Sequence, residues 1–215
     1  MTFKLSPSSL NLFAECPRCF YLTLHKKWKR PSGPFPSLPG GMDRILKKHF
    51  DKFRDIGKLP PELSENKECS GMKLFNDPEL MKIWQNNFKG ISWTDEEGNE
   101  LHGAVDAMLV KGEKLIVLDF KTRSGAPKDE TVDYYRLQQN IYNFLLRKNR
   151  YETEDYFFLL FYFPTEINEI GEVIFDTELV KVKVDIKTPE KIWKDALKIL
   201  NGDCPSKSCG WCNGR

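Results

Sequence analysis

The stretch LIVLDFKTR, residues 115–123, decides the fold of this 215-residue chain. Leu115, Ile116, Val117, Leu118 and Phe120 make a run built for burial in a sheet, yet Asp119 and Lys121 stand near its end, two positions apart. Side chains two apart in a strand share one face, so the carboxylate and the ammonium point the same way. Upstream, LHGAVDAMLV (101–110) has the same strand composition, and the KGEK between the two runs (111–114) reads as a tight turn. With Gly112-Glu113 as a two-residue hairpin loop, Lys111 faces Lys114, and the same register sets Asp106 against Asp119. Opposed side chains of an antiparallel pair have Cβ atoms about 4.5–5.5 Å apart, and like charges there repel. Positive charge is needed between them. Lys121 supplies one part and a divalent cation would supply the rest.

Two carboxylates and a lysine so gathered suit metal-assisted phosphodiester hydrolysis. Mg²⁺ or Mn²⁺ takes oxygen ligands from a few carboxylates, here Asp106 and Asp119. Lys121 can orient or deprotonate the attacking water, or stabilise charge developing on the phosphate. The plainer alternative is a strand-end Asp119–Lys121 ion pair with Asp106 solvated. A lone D-x-K is too short to choose between them, and the matched register is what favours the site.

The surrounding pattern is α/β. SPSSLNLFAECPRCFYLTLHKKW (6–28) starts as a helix and breaks or ends near Cys16-Pro17, while KRPSGPFPSLPGG (29–41) is too rich in Pro and Gly for regular structure. Residues 42–56 place Met42, Ile45, Leu46, Phe50 and Phe53 at helical spacing. A short helix follows Asp77-Pro78, and VDYYRLQQNIYNFLLRKN (132–149) is a helix striped by Leu137, Ile141, Phe144 and Leu145. DYFFLLFYFP and GEVIFDTELVKVKV read as strands, the first apolar on both faces. TPEKIWKDALKILNG closes as a helix, with Thr188 as its cap and Gly202 as its stop.

With 40% apolar and 30% charged residues and no membrane-length apolar run, the composition is that of a soluble globular domain. The N-terminus lacks the pattern of a secretory signal, and a cytoplasmic location is expected. One domain over 1–215 is expected, with a helical N-terminal lobe (1–70), a catalytic core (100–185) and a C-terminal helix with a cysteine motif (186–215). Net charge is +2, but the first 60 residues hold 12 Lys and Arg against 4 Asp and Glu. Such a basic lobe can track a phosphate backbone, or simply present a solvated surface.

In this order, GAVDAMLV, LIVLDFKTR and LQQNIY resemble the core of the PD-(D/E)XK nuclease superfamily, specifically its RecB-like exonuclease branch. The opening SPSSLNLFAECPRCFYL is similar to that of RecB-like, AddB-like and CRISPR-associated nucleases. The resemblance implies a restriction-endonuclease-like α/β fold, a central mixed sheet flanked by helices. It implies catalysis by Asp106, Asp119 and Lys121 with Mg²⁺ or Mn²⁺, and a Q-x-x-x-Y helix motif at Gln138 and Tyr142. Those two lie four apart on one helix face, where they can contact nucleic acid beside the metal. The family usually adds a metal-binding His on an earlier helix; Asp43, after LPGGM, takes that place here. His49 lies about 120° around the helix from Asp43, so the two cannot easily share one ion, and Asp43 is preferred. As helix-start residues go, Asp43 is also unremarkable on dipole grounds alone.

CPRC and CGWC give two C-x-x-C pairs, Cys16 with Cys19 and Cys209 with Cys212, able to grip one centre and join the chain ends. Four thiolates suit zinc or a [4Fe-4S] cluster, and spacing alone does not choose. The resemblance implies the four-iron cluster, with one N-terminal and three C-terminal ligands. In that arrangement Cys204 would join Cys209 and Cys212 and leave Cys19 spare; the paired spacing favours Cys16, Cys19, Cys209 and Cys212. Cys69 reads as structural. The expected function is a metal-dependent deoxyribonuclease acting on single-stranded DNA ends, in recombination, repair or CRISPR-type processing alongside other proteins. The competing expectations are an inactive nucleic-acid-binding assembly module of the same fold and a zinc-stabilised structural protein.

Overall fold

The structure is a computed structural model and describes residues 1–33 and 37–214. Its elements run β1 (Lys4–Leu5), α1 (Pro7–Glu15), α2 (Pro17–Leu24), α3 (Ser37–Asp55), α4 (Pro61–Ser64), β2 (Lys73–Leu74), α5 (Pro78–Trp84), β3 (Ile91–Thr94) and β4 (Glu100–Gly103). Then follow β5 (Ala107–Lys111), β6 (Lys114–Thr122), α6 (Asp133–Lys148), β7 (Tyr156–Ile167), β8 (Val173–Lys183) and α7 (Lys187–Leu200). A five-stranded mixed sheet has the order β2-β5-β6-β7-β8, and a small sheet the order β1-β4-β3. No helix is long and apolar enough to cross a membrane among the described residues.

The hairpin forms in the expected register: Lys111 pairs with Lys114 and Ala107 with Leu118. Gly112 turns it at φ +60°, a conformation that side chains resist. β6 pairs on its other side with β7 in parallel, which requires a crossover, and α6 supplies it. Central β6 and β7 are covered on both faces, so Leu115–Phe120 and Phe157–Tyr162 are buried without alternation.

Alternate residues of β6 serve two cores. Val117 joins Leu159, Phe161, α1, α2, α6 and α7 on one face. Ile116, Leu118 and Phe120 join Phe158, Leu160 and Leu46 and Phe50 of α3 on the other. The first 70 residues are thus shared between both faces of the sheet rather than gathered on one.

Three local expectations are corrected. The segment 29–41 is not irregular throughout, because α3 already begins at Ser37 and includes Pro39, Gly40 and Gly41; residues 34–36 of that segment lie outside the described residues. Proline is tolerated there because the first four N–H groups of a helix have no intrahelical partner. LHGAVDAMLV is not one strand: β4 belongs to the small sheet and β5 to the large one. The chain changes sheets at Ala104–Asp106, where the Val105 N–H donates to the Trp84 carbonyl at 3.0 Å. Thr188 does not cap α7. The Asp185 carboxylate accepts from the Lys187 and Thr188 N–H groups at 2.8 and 3.3 Å and does the capping instead.

Phe50 is fully buried, with its ring 4.5 Å from that of Phe120, and so pins α3 to the sheet. Phe50→Ala is expected to cost about 3–5 kcal/mol in chemical denaturation. A loss under about 1 kcal/mol would show that α3 is held by other contacts.

Candidate active site at the end of β6

Asp119 and Lys121 project from β6 toward α6, and Asp106 stands just before β5, at the register position opposite Asp119. The break between β4 and β5 puts Asp106 there. Its Oδ2 accepts from the Phe120 N–H at 2.9 Å, continuing the hairpin ladder with a side chain. All three residues line a cavity of about 500 Å³, together with Asp43 and Lys47 of α3 and Gln138 and Tyr142 of α6. A cavity of about 520 Å³ between Trp93, Phe144 and Trp193 shares no lining residue with it.

Lys121 Nζ lies 2.5 Å from Asp119 Oδ2, 3.4 Å from Gln138 Oε1 and 4.4 Å above the Tyr135 ring. Gln138 Nε2 donates to the Tyr142 hydroxyl at 2.7 Å, so the helical i,i+4 pair forms one polar chain from lysine to phenol. Tyr142 can reach this position because residue 103 has no side chain. A Cβ on Gly103 would come within 2.6 Å of the Tyr142 ring.

Sequence reasoning missed Lys47. Its Nζ sits 2.9 Å from Asp43 Oδ1 and 3.1 Å from Asp106 Oδ1, a cation between two carboxylates. The signal was present: Asp43 and Lys47 are four apart on an amphipathic helix. Asp43 therefore faces the site, whereas His49 turns to Glu62, at 3.1 Å. Among the described residues, Asp43, Asp106 and Asp119 are not drawn into one group of the size a single ion requires. Lys47 stands between Asp43 and Asp106.

The electrostatics follow from burial and from the like charges. Burial, and then the neighbouring Asp119 charge, push the Asp106 carboxyl up to about 7, only partly offset by Lys47. Burial alone would lower Lys121 and Lys47. The carboxylates outweigh it, Asp119 for the first and Asp106 for the second, and hold both above the ordinary lysine value. Burial also keeps the Tyr142 phenol protonated well beyond its usual range. Asp119 is buried, and its Oδ2 meets the Lys121 ammonium as a close ion pair. Two opposed carboxylates whose repulsion the two lysines offset only in part, lining one cavity, are a donor set that fits a Mg²⁺ or Mn²⁺ ion.

The cysteines meet at the other end of the chain. Cys16 caps α2, Cys19 lies in its first turn, and their sulfurs gather with those of Cys209 and Cys212 within 4.8 Å of one another. Cys204 stands outside this group, with Arg18 Nη1 3.5 Å from its sulfur. Cys69 is buried in the core beneath the sheet, among Leu46, Leu63 and Met72.

Asp106 has a raised folded pKa, so in the metal-free protein its own contribution to stability is fully present below the ordinary carboxylate value and is lost as pH rises from about 4 to about 7. Asp106→Asn is expected to raise the Tm of the metal-free protein at pH 8 and to change it little at pH 4. An equal shift at both pH values would remove the charge repulsion as its cause.

The sequence model described as the PD-(D/E)XK nuclease superfamily matches residues 77–214, which include every residue of the β6 site except those of α3. No curated protein matches the chain. A solved structure described as "Crystal structure of SSO0001" aligns over 94% of this chain and 78% of its own, at 12% identity and a TM-score of 0.45.

Proposed function

Given that this chain belongs to the PD-(D/E)XK nuclease superfamily, we propose that it is a metal-dependent deoxyribonuclease of the RecB-like branch, hydrolysing phosphodiesters at single-stranded DNA ends. One observation carries the reading: Asp106 and Asp119 meet at the end of a hairpin with Lys121 in contact. A degenerate site has no physical reason to keep two carboxylates opposed, one of them buried.

In this reading Asp106 and Asp119 would hold Mg²⁺ or Mn²⁺, which would supply charge stabilisation and a more acidic water. Asp43, paired with Lys47 beside Asp106, would be the third carboxylate of the set. Lys121, held as an ammonium by Asp119 and Asp106 in the metal-free protein, would orient the attacking water or stabilise negative charge on the phosphate. Gln138 fixes Lys121 and, with Tyr142, presents donors toward the substrate. A neighbouring cavity of about 360 Å³ shares Gln138 and Tyr142 with that of the carboxylates and adds Ser8 and His102 beside the start of α1. It offers the strand a continuous path away from the carboxylates. The basic residues of the first 60 would guide DNA, and the whole chain would act as one nuclease domain alongside recombination, repair or CRISPR proteins.

Labelled single-stranded DNA with Mg²⁺ or Mn²⁺ tests the activity. Cleavage is expected, and Lys121→Ala should slow it by about 10²- to 10⁴-fold with little change in DNA affinity. Binding without cleavage by the unmodified protein would instead favour an assembly module of the same fold. Asp106 must be ionised to hold the metal, so divalent-ion affinity should weaken as pH falls below about 7. Titration calorimetry at pH 6 and pH 8 reads this directly, and equal affinity at both would place the metal elsewhere.

A further inference from the structure

The cysteine group is independent of the nuclease reading, and its dimensions bear on which metal it can take. Sγ of Cys16 lies 3.8 Å from that of Cys212, Cys19 is 3.5 Å from Cys209, and Cys209 is 3.8 Å from Cys212. These gaps are far longer than a disulfide bond of about 2.05 Å. They match the edges of a tetrahedron around one ion, since Zn–S bonds of about 2.3 Å space the sulfurs by roughly 3.8 Å. A four-iron cube is larger. Each thiolate binds a different iron and points away from the cube, which spreads the sulfurs to roughly 6 Å. All four sulfurs here lie within 4.8 Å of one another, so the cube does not fit between them.

The surroundings are built for sulfur ligands. The Cys19 N–H points at Cys16 Sγ at 3.5 Å and the Cys209 N–H at Cys212 Sγ at 3.3 Å, so each C-x-x-C turn steadies its own thiolate. Arg30 Nη2 lies 3.8 Å from Cys209 Sγ and offsets the net negative charge that four thiolates leave around a divalent ion. Arg18 Nη1 donates to the Pro205 carbonyl at 2.7 Å beside Cys204, fastening that cysteine outside the group.

We propose that Cys16, Cys19, Cys209 and Cys212 hold a single tetrahedral zinc ion joining the chain ends, in place of the four-iron cluster that the RecB-like resemblance implies. Zinc suits a closed four-thiolate site with no open position, and it binds such ligands more tightly than ferrous iron.

Metal analysis of the protein purified without oxygen, with acid-labile sulfide and a visible spectrum, tests this separately from any cleavage assay. One zinc per chain, no sulfide and no band near about 400 nm are expected. Replacing the ion with Co²⁺ should give bands at roughly 600–750 nm, the mark of a tetrahedral thiolate site. Cys209→Ser should lose the ion, and Cys204→Ser should keep one zinc per chain even if the first variant fails to fold. Iron with matching sulfide, a protein without bound metal, or loss of the ion in Cys204→Ser would each overturn the proposal. A colourless one-zinc protein that cleaves no DNA would leave it standing and sink only the nuclease reading.

Discussion

Repulsion between Asp106 and Asp119 is the constraint around which the rest of the molecule is arranged. The hairpin brings the two acids together, and burial beneath α6 denies them water, so every nearby element answers with positive charge or with a donor. Lys121 comes from the same strand, Lys47 from a helix on the far face of the sheet, and the Phe120 N–H from the neighbouring backbone. These groups offset the burial and the repulsion only in part, and Asp106 keeps its proton up to about 7 as a result. The same arrangement that burdens the metal-free protein prepares it for a divalent ion.

The two-layered core puts these groups within reach of one another. β6 sends odd-numbered residues to α6 and even-numbered ones to α3, so one nine-residue strand anchors both helices. The site therefore lies at the rim where the layers meet, beyond the last buried turn of the sheet. Gly103 matters for the same geometric reason, because a side chain there would drive Tyr142 out of the polar chain that begins at Lys121.

Much of this was legible in the residues. The register followed from a two-residue loop whose glycine had one sensible place, and the burial of β7 followed from an unbroken apolar run. The gathering of Cys16 and Cys19 with Cys209 and Cys212 followed from paired spacing. Other features had no local signal. Lys47 reads as one more surface lysine until α3 is docked, and docking depends on contacts such as Phe50 on Phe120, 70 residues apart. The sheet change at Ala104–Asp106 is invisible because β4 and β5 have the same strand composition; only the partner strands separate them. Thr188 stood directly before Pro189 and so read as the cap, but Asp185 has both the stronger capping side chain and the backbone position to use it.

The closure of the chain ends has a consequence for biosynthesis. Cys16 and Cys212 are 196 positions apart, so at about 5–20 residues per second one half of the clasp leaves the ribosome roughly 10–40 s before the other. During that interval Cys16 and Cys19 are an open dithiol, exposed to oxidants and to stray metals. Until Cys209 and Cys212 follow, the first pair can complete only half of the four-sulfur group.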